Sequence, residues 1–264
     1  MTIVAGWIRT TKKGAQELIM ASDSRLNGGG NLDSVPKLFL LPRSDCVIGF
    51  AGTTLLAYPL LTQISQSINF HLPLRDRVID YVPLRTHIVK LINELFSQYK
   101  TYHPDLKSPD NEFLLGGYSW FNKSFQIDKI RYVESKRRFE HTNFTKSPDK
   151  MSYAFIGDWS KSFGRMLASR VHKEGIQGLH LEPFELIRDQ LRISGEHDTI
   201  GGAPQLISVS QHMNSHQTAV YWPDKASGAV FLGGRKMLPF ENFDNWILDP
   251  DTLEKSHRHY GKGT

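Results

Sequence analysis

Leu18-Ile19-Met20-Ala21-Ser22-Asp23-Ser24-Arg25 is an apolar run of strand length that ends in a carboxylate. The short, partly β-branched segment from Thr2 to Ile8 precedes it, and Lys12-Lys13-Gly14 between them is a turn signal, so Thr2–Ile8 and Glu17–Ala21 predict a hairpin. On the other side, Asn27-Gly28-Gly29-Gly30-Asn31 reads as a flexible loop whose glycines permit positive φ. Lys37 to Leu41 and Cys46 to Phe50 then predict a second strand pair around Pro42-Arg43-Ser44-Asp45. Phe50-Ala51-Gly52-Thr53-Thr54 is a strand-to-helix turn with glycine at its corner. If these strands pair as a meander, three strand ends carrying Asp23, Lys37 and Gly52 converge on one spot.

Beyond Gly52 the period changes. Leu55, Leu56, Leu60, Leu61, Ile64 and Ile68 recur at helical spacing, with Pro59 predicting a kink or a late start. Pro83 to Tyr99 is a second helix with Pro83 in its first turn and Ile88, Leu91, Ile92, Leu95 and Phe96 as a core-facing stripe. Strands return at Phe113–Tyr118, Phe125–Val133, Arg138–Phe144 and Met151–Ile156. Helices follow at about Ser160–Lys173 and Glu182–Ile193, then strands at Gln205–Gln211, Gln217–Trp222 and Gly228–Leu232. Strands, two helices, strands, two helices, strands is a layered α+β order with antiparallel sheets, in one domain over 1–235. Residues 236–264 read as an appended C-terminal extension with a loose tail.

Composition narrows the function classes. Hydrophobic residues make up 39% and charged residues 22% of 264, the balance of a soluble globular domain. No apolar run approaches the ~20 residues that span a bilayer, so no membrane role is expected. Met1-Thr2-Ile3-Val4-Ala5-Gly6-Trp7 lacks the basic stretch and apolar core of a signal peptide, which leads us to expect a cytoplasmic protein. The single cysteine, Cys46, sits in an apolar run and reads as a buried strand residue rather than a nucleophile. Eleven histidines show no ligand spacing, so no metal site and no cofactor are expected. The net charge of +5 is mild, and the basic runs Lys136-Arg137-Arg138 and Lys255-Ser256-His257-Arg258-His259 read as solvated surface rather than a nucleic-acid face.

The chemistry-bearing position is Thr2. Methionine is trimmed before small residues, and trimming leaves Thr2 with a free α-amine beside its own hydroxyl. A threonine hydroxyl is a poor nucleophile alone, but a terminal amine with a reference pKa of ~7.7–8.0 can serve as its general base. Asp23 and Lys37, closing one strand and opening another, supply a carboxylate and an ammonium. Taken singly, Asp23 could cap a turn, Lys37 could face solvent and Gly52 could be a tight corner.

The order of Thr2, Ala21-Ser22-Asp23-Ser24-Arg25, the Asn27–Asn31 loop, Lys37 and Ala51-Gly52 resembles proteasome-type β subunits of the N-terminal nucleophile (Ntn) hydrolases, closest to the bacterial proteasome-related proteins called Anbu. That resemblance implies a four-layer αββα sandwich of two antiparallel sheets flanked by helix pairs. It implies that the Thr2 hydroxyl attacks a carbonyl, that Lys37 lowers nearby pKa values, that Asp23 orients Lys37, and that the Gly52 N–H stabilises the oxyanion. Asp198-Thr199-Ile200-Gly201-Gly202 is similar to the family's Asp-x-x-Ser-Gly segment and implies that Asp198 and Gly202 sit beside the nucleophile, with Gly201 in the place of serine. Ile156-Gly157-Asp158 is similar to its glycine-serine turn, with Asp158 in the place of serine. By the same resemblance Ser22, Ser24, Gly201 and Gly202 would bind substrate.

The implied function is hydrolysis of amide bonds in a peptide or protein, within a self-assembled homo-oligomer, either ring or helical stack, with room for an unfoldase partner. Two alternatives share the fold: an amidohydrolase of small-molecule amides, and a catalytically inactive structural subunit. A basic nucleic-acid module is the more distant third.

Overall fold

The computed structural model describes residues 2–11, 14–28, 30–99, 109–146 and 150–260. β1 (Ile3–Thr10) and β2 (Gln16–Ser22) form the antiparallel hairpin read from the sequence, with Val4 opposite Ser22 and Thr10 opposite Gln16. Lys12 and Lys13 of the expected turn lie outside the described residues, while Gly14 beside them adopts a φ of 81°. Side chains in β2 alternate between two covered faces: Leu18 and Met20 point one way, Ile19 and Ala21 the other. A strand covered on both faces needs an unbroken apolar run rather than an alternating one, which is what Leu18–Ala21 provides.

The expected flexible loop after Arg25 instead carries two short paired strands, β3 (Leu26–Asn27) and β4 (Asn31–Leu32). β5 (Leu38–Leu40) and β6 (Cys46–Ala51) pair antiparallel. α1 (Thr54–Phe70) starts before Pro59 and continues through it, so the start is not late; α2 (Leu72–Arg75) is a short turn, and α3 (Tyr81–Ser97) begins two residues ahead of Pro83. β7 (Glu112–Ser119), β8 (Ser124–Val133) and β9 (Arg138–Asn143) form the expected meander. β10 (Tyr153–Gly157) leads into α4 (Ser160–Glu174) and α5 (Glu182–Ile193). β11 (Gln205–Ser210), β12 (Ser215–Tyr221), β13 (Val230–Leu232) and β14 (Arg235–Lys236) follow.

Among the described residues the molecule is α+β, built on antiparallel sheets of five and nine strands plus the small ribbon, with one parallel contact in the larger sheet. The five-stranded order is β5-β6-β7-β8-β9, and the larger sheet runs β10-β1-β2-β11-β12-β13-β14. Its remaining strands come from the C-terminal segment. β15 (Phe243–Leu248) pairs parallel with β12, and β16 (Lys255–Tyr260) pairs antiparallel with β15. The segment after Lys236 is therefore no loose tail as far as Tyr260: Met237, Phe243 and Ile247 bury with Ala219, Tyr221 and Val230.

Three apolar layers hold these elements together. One joins the five-stranded sheet, through Ile48, Phe50, Phe113 and Leu115, to Leu60, Ile64, Leu84 and Ile88 of α1 and α3. A second joins Ile3, Ile19 and Leu206 of the larger sheet to Phe163, Leu167, Phe184 and Ile187 of α4 and α5. The third takes Val4, Leu18, Met20 and Ile207 from the larger sheet and Val47, Leu114 and Ile127 from the smaller. Cys46 is fully buried in the first layer, and burial pushes its thiol pKa up, as suits an inert strand residue. No helix among the described residues is long and apolar enough to cross a membrane.

Candidate active site

Asp23 follows the last residue of β2, and Lys37 precedes the first residue of β5. They belong to different sheets, so they meet across the sheet interface and not through the single meander anticipated above. Lys37 Nζ lies 2.9 and 2.8 Å from the two Asp23 carboxylate oxygens and 2.8 Å from Thr2 Oγ1. Thr2, Asp23 and Lys37 are 3%, 0% and 1% exposed. Such burial decides how the charges behave. Desolvation pulls the Lys37 pKa below the ordinary lysine value; the Asp23 charge opposes it first, then Asp23 hydrogen bonding, then the charges of Asp158 and Asp33. The Asp23 carboxylate is further fixed by N–H donors from Ile3 at 3.0 Å, Arg25 at 3.1 Å and Gly201 at 3.4 Å.

One glycine corner, Gly157, abuts Thr2, and a second, Gly52, follows Ala51 at the end of β6. Gly157 closes β10 opposite Ile3 with a φ of 94°, and a Cβ there would lie 2.0 Å from the Thr2 carbonyl oxygen and 3.3 Å from Ala51 Cβ. Gly52 has a φ of 103°, and its Cβ would lie 2.9 Å from both Asn111 Cα and the Asp110 carbonyl. Only glycine fits either position. Neighbouring side chains brace both corners: Asn111 Nδ2 donates to the Thr53 carbonyl at 2.8 Å, and the Gly157 N–H donates to Glu112 Oε2 at 2.9 Å.

The remaining expected residues divide. Asp158 is exposed and acts on Lys37 through its charge. Asp198 Oδ2 accepts the Gly195 N–H at 2.7 Å and the Asp198 carbonyl accepts Arg25 Nη1 at 3.2 Å, so Asp198 shapes its own turn and joins the cluster through Arg25. Gly201 is brought in by its backbone: its N–H meets Asp23, and its carbonyl accepts the Ser24 N–H at 3.1 Å. A Cβ on Gly201 would lie 2.3 Å from Arg25 Cζ, so the space where the resemblance places a serine is filled by the Arg25 guanidinium. That guanidinium pairs with both Asp33 oxygens at 2.6 and 2.7 Å and reaches the Gly195 carbonyl at 2.6 Å.

Ser22 and Ser24, expected to bind substrate, are both fully buried. Ser24 Oγ donates toward the Asp33 and Gly234 carbonyls at 3.2 and 3.4 Å, and a Cβ on Gly202 would lie 2.3 Å from it. Ser22 Oγ has no hydrogen-bond partner among the described residues. These two side chains pack the interior beneath the Asp23 strand end, because they continue β2 where both faces are covered. They are no part of an open groove.

Sequence reasoning missed Gln205, Asn111 and Glu112. The only local signal for Gln205 is a polar residue opening a buried strand directly after Gly201-Gly202-Ala203-Pro204. Among the described residues no group of three or more His, Cys, Asp or Glu is placed to hold a metal ion. No protein-family model matches the chain, and no curated protein matches it by sequence.

Proposed function

We propose that the protein is an N-terminal threonine hydrolase that cleaves amide bonds through an acyl-enzyme on Thr2. The observation that carries this reading is the 2.8 Å contact between Lys37 Nζ and Thr2 Oγ1, made by a lysine that both Asp23 oxygens hold. The reaction requires a free α-amine on Thr2, which removal of Met1 supplies. That amine takes the hydroxyl proton as Oγ attacks the carbonyl carbon, and later gives it to the leaving amine. Lys37 in its ammonium form stabilises the developing alkoxide. The Gly52 N–H serves the tetrahedral oxyanion, a role worth ~2.7–4 kcal/mol per donor. Water then hydrolyses the Thr2 ester.

Burying a lysine–aspartate pair carries a desolvation penalty of several kcal/mol per ion, and a purely structural subunit gains nothing from placing that pair against a hydroxyl. This favours an active enzyme over an inert scaffold. The three apolar layers support a four-layer αββα sandwich of the Ntn type, and with it the proteasome-related resemblance. A cytoplasmic homo-oligomer, ring or helical stack, acting on peptides or proteins is the corresponding assembly, since head-to-tail contacts generate either geometry.

The test replaces Thr2 with alanine and measures peptide hydrolysis and covalent labelling by an electrophilic probe, with the intact mass read in parallel. The expected result is a wild-type chain that lacks Met1 and gains one adduct, and a Thr2→Ala chain that gains none. Equal labelling of both proteins would overturn the reading.

A further inference from the structure

Asp23 and Lys37 sit at the ends of strands in different sheets, and the apolar layer between those sheets is non-directional. Methyl groups tolerate sliding by fractions of an ångström; a hydrogen-bonded ion pair does not. Something directional must set the offset of one sheet against the other at this point, and Gln205 has the required geometry. As the first residue of β11 it lies opposite Ser22 in the larger sheet, one residue from Asp23. Its side chain crosses to the smaller sheet. Nε2 donates to the Asp23 carbonyl at 3.2 Å and to the Val35 carbonyl at 2.7 Å. Oε1 accepts the Lys37 N–H at 3.0 Å and the Leu38 N–H at 3.4 Å.

The amide is 1% exposed, and both of its ends are satisfied. Two carbonyls face one end and two N–H groups face the other, so the network itself fixes which atom is nitrogen. One side chain thus grips the backbone of both members of the ion pair that faces Thr2.

We infer that Gln205 is the positioning residue of the site, holding the Lys37 main chain in register with Asp23 so that the ammonium reaches the Thr2 hydroxyl. Its catalytic consequence rests on the proposed threonine chemistry. The four hydrogen bonds of the Gln205 side chain go to Asp23, Val35, Lys37 and Leu38, so it acts through Lys37 and Asp23.

The experiment uses the full chain with two variants. Gln205→Met keeps side-chain length and removes all four hydrogen bonds. Gln205→Glu keeps the acceptor for Lys37 and Leu38, removes the donors and adds a negative charge. Labelling of Thr2 by an electrophilic probe is resolved into inactivation rate and probe affinity, and main-chain amide exchange is measured by NMR.

For Gln205→Met the inactivation rate falls by roughly a hundredfold with probe affinity unchanged, the scale of an ångström misplacement. The Lys37 and Leu38 amides exchange faster while those of β6 hold. For Gln205→Glu the acid limb of the labelling profile moves to higher pH, because added negative charge favours the protonated amines. An unchanged inactivation rate in a folded Gln205→Met protein overturns the positioning role. If that variant does not fold, an unchanged inactivation rate together with unchanged Lys37 and Leu38 exchange in Gln205→Glu, which has lost the donors to Asp23 and Val35, overturns it instead. If the wild type itself shows no Thr2 adduct, the hydrolase reading fails, and unchanged Lys37 and Leu38 exchange in either variant then separately overturns the register role.

Discussion

The Arg25 guanidinium occupies the volume that a side chain at position 201 would need, with four acceptor contacts from Asp33, Gly195 and Asp198 keeping it there. Introducing by Gly201→Ser the serine that the proteasome-type resemblance would place there should therefore lower stability by about 1–3 kcal/mol, the usual cost of overpacking, rather than improve the site. Adding Arg25→Ala vacates the space, so the two changes should combine to less than their sum in a thermal-melting double-mutant cycle. Simple additivity would show that Arg25 and Gly201 do not compete for room. A second expectation concerns charge. Burial lowers the Lys37 pKa against the opposing Asp23 charge, so the alkaline limb of activity should fall below the ordinary lysine value of 10.5. Asp23→Asn removes the largest opposing cause and should move that limb lower still; a limb that stays put or rises would contradict the assignment. Lys37→Met strands a fully buried carboxylate and should cost about 3–5 kcal/mol in denaturant unfolding. Thr2, Asp23 and Lys37 could be singled out because they stand at strand ends in the order that carries the proteasome-type resemblance; taken singly, none of them is marked. Gln205 was not, since its partners lie 167 to 182 residues away in sequence and nothing local marks them.

The C-terminal hairpin shows the same limit among elements. Lys255-Ser256-His257-Arg258-His259-Tyr260 has no apolar alternation, and it forms a strand only because β15 offers an unpaired edge. That context gives Lys255 a cost. Burial lowers its pKa to about 8, with Arg9 adding to the shift and Glu17 opposing it. A lysine with a depressed folded pKa costs stability progressively as pH falls from the unfolded value near 10.5 to the folded value of about 8, and the full cost is present below that. Lys255→Met should accordingly raise the melting temperature at pH 7, and its advantage should shrink between pH 8 and 10.5. A constant difference across that window would contradict the burial of the ammonium. By contrast α1, α3, α4 and α5 were readable from spacing alone, because each buries one stripe on a sheet and that stripe has the helical period. The β3–β4 ribbon escaped notice because two-residue strands have no period to read.

For the whole molecule, the succession of strands and helix pairs was visible in the chain, while the order of strands within the larger sheet was not. β2 pairs with β11 across some 180 residues, a contact set by packing on both faces rather than by any local pattern. Large apolar side chains remain on the outside, among them Leu55, Phe70, Val78, Phe121, Ile193 and Phe240. Sedimentation should find species several times the monomer mass, as the proposed assembly requires; a monomer at all concentrations would refute the oligomer. The pairing of β2 with β11 also sets a clock. The β1–β2 and β5–β6 hairpins can close as soon as they leave the ribosome. The Gly201 N–H on Asp23 and the Gln205 grip on Lys37 arrive only after two hundred residues have been synthesised. Thr2, though the first residue of the site to be made, is the last to acquire its surroundings, and a nascent or truncated chain carries it unarmed.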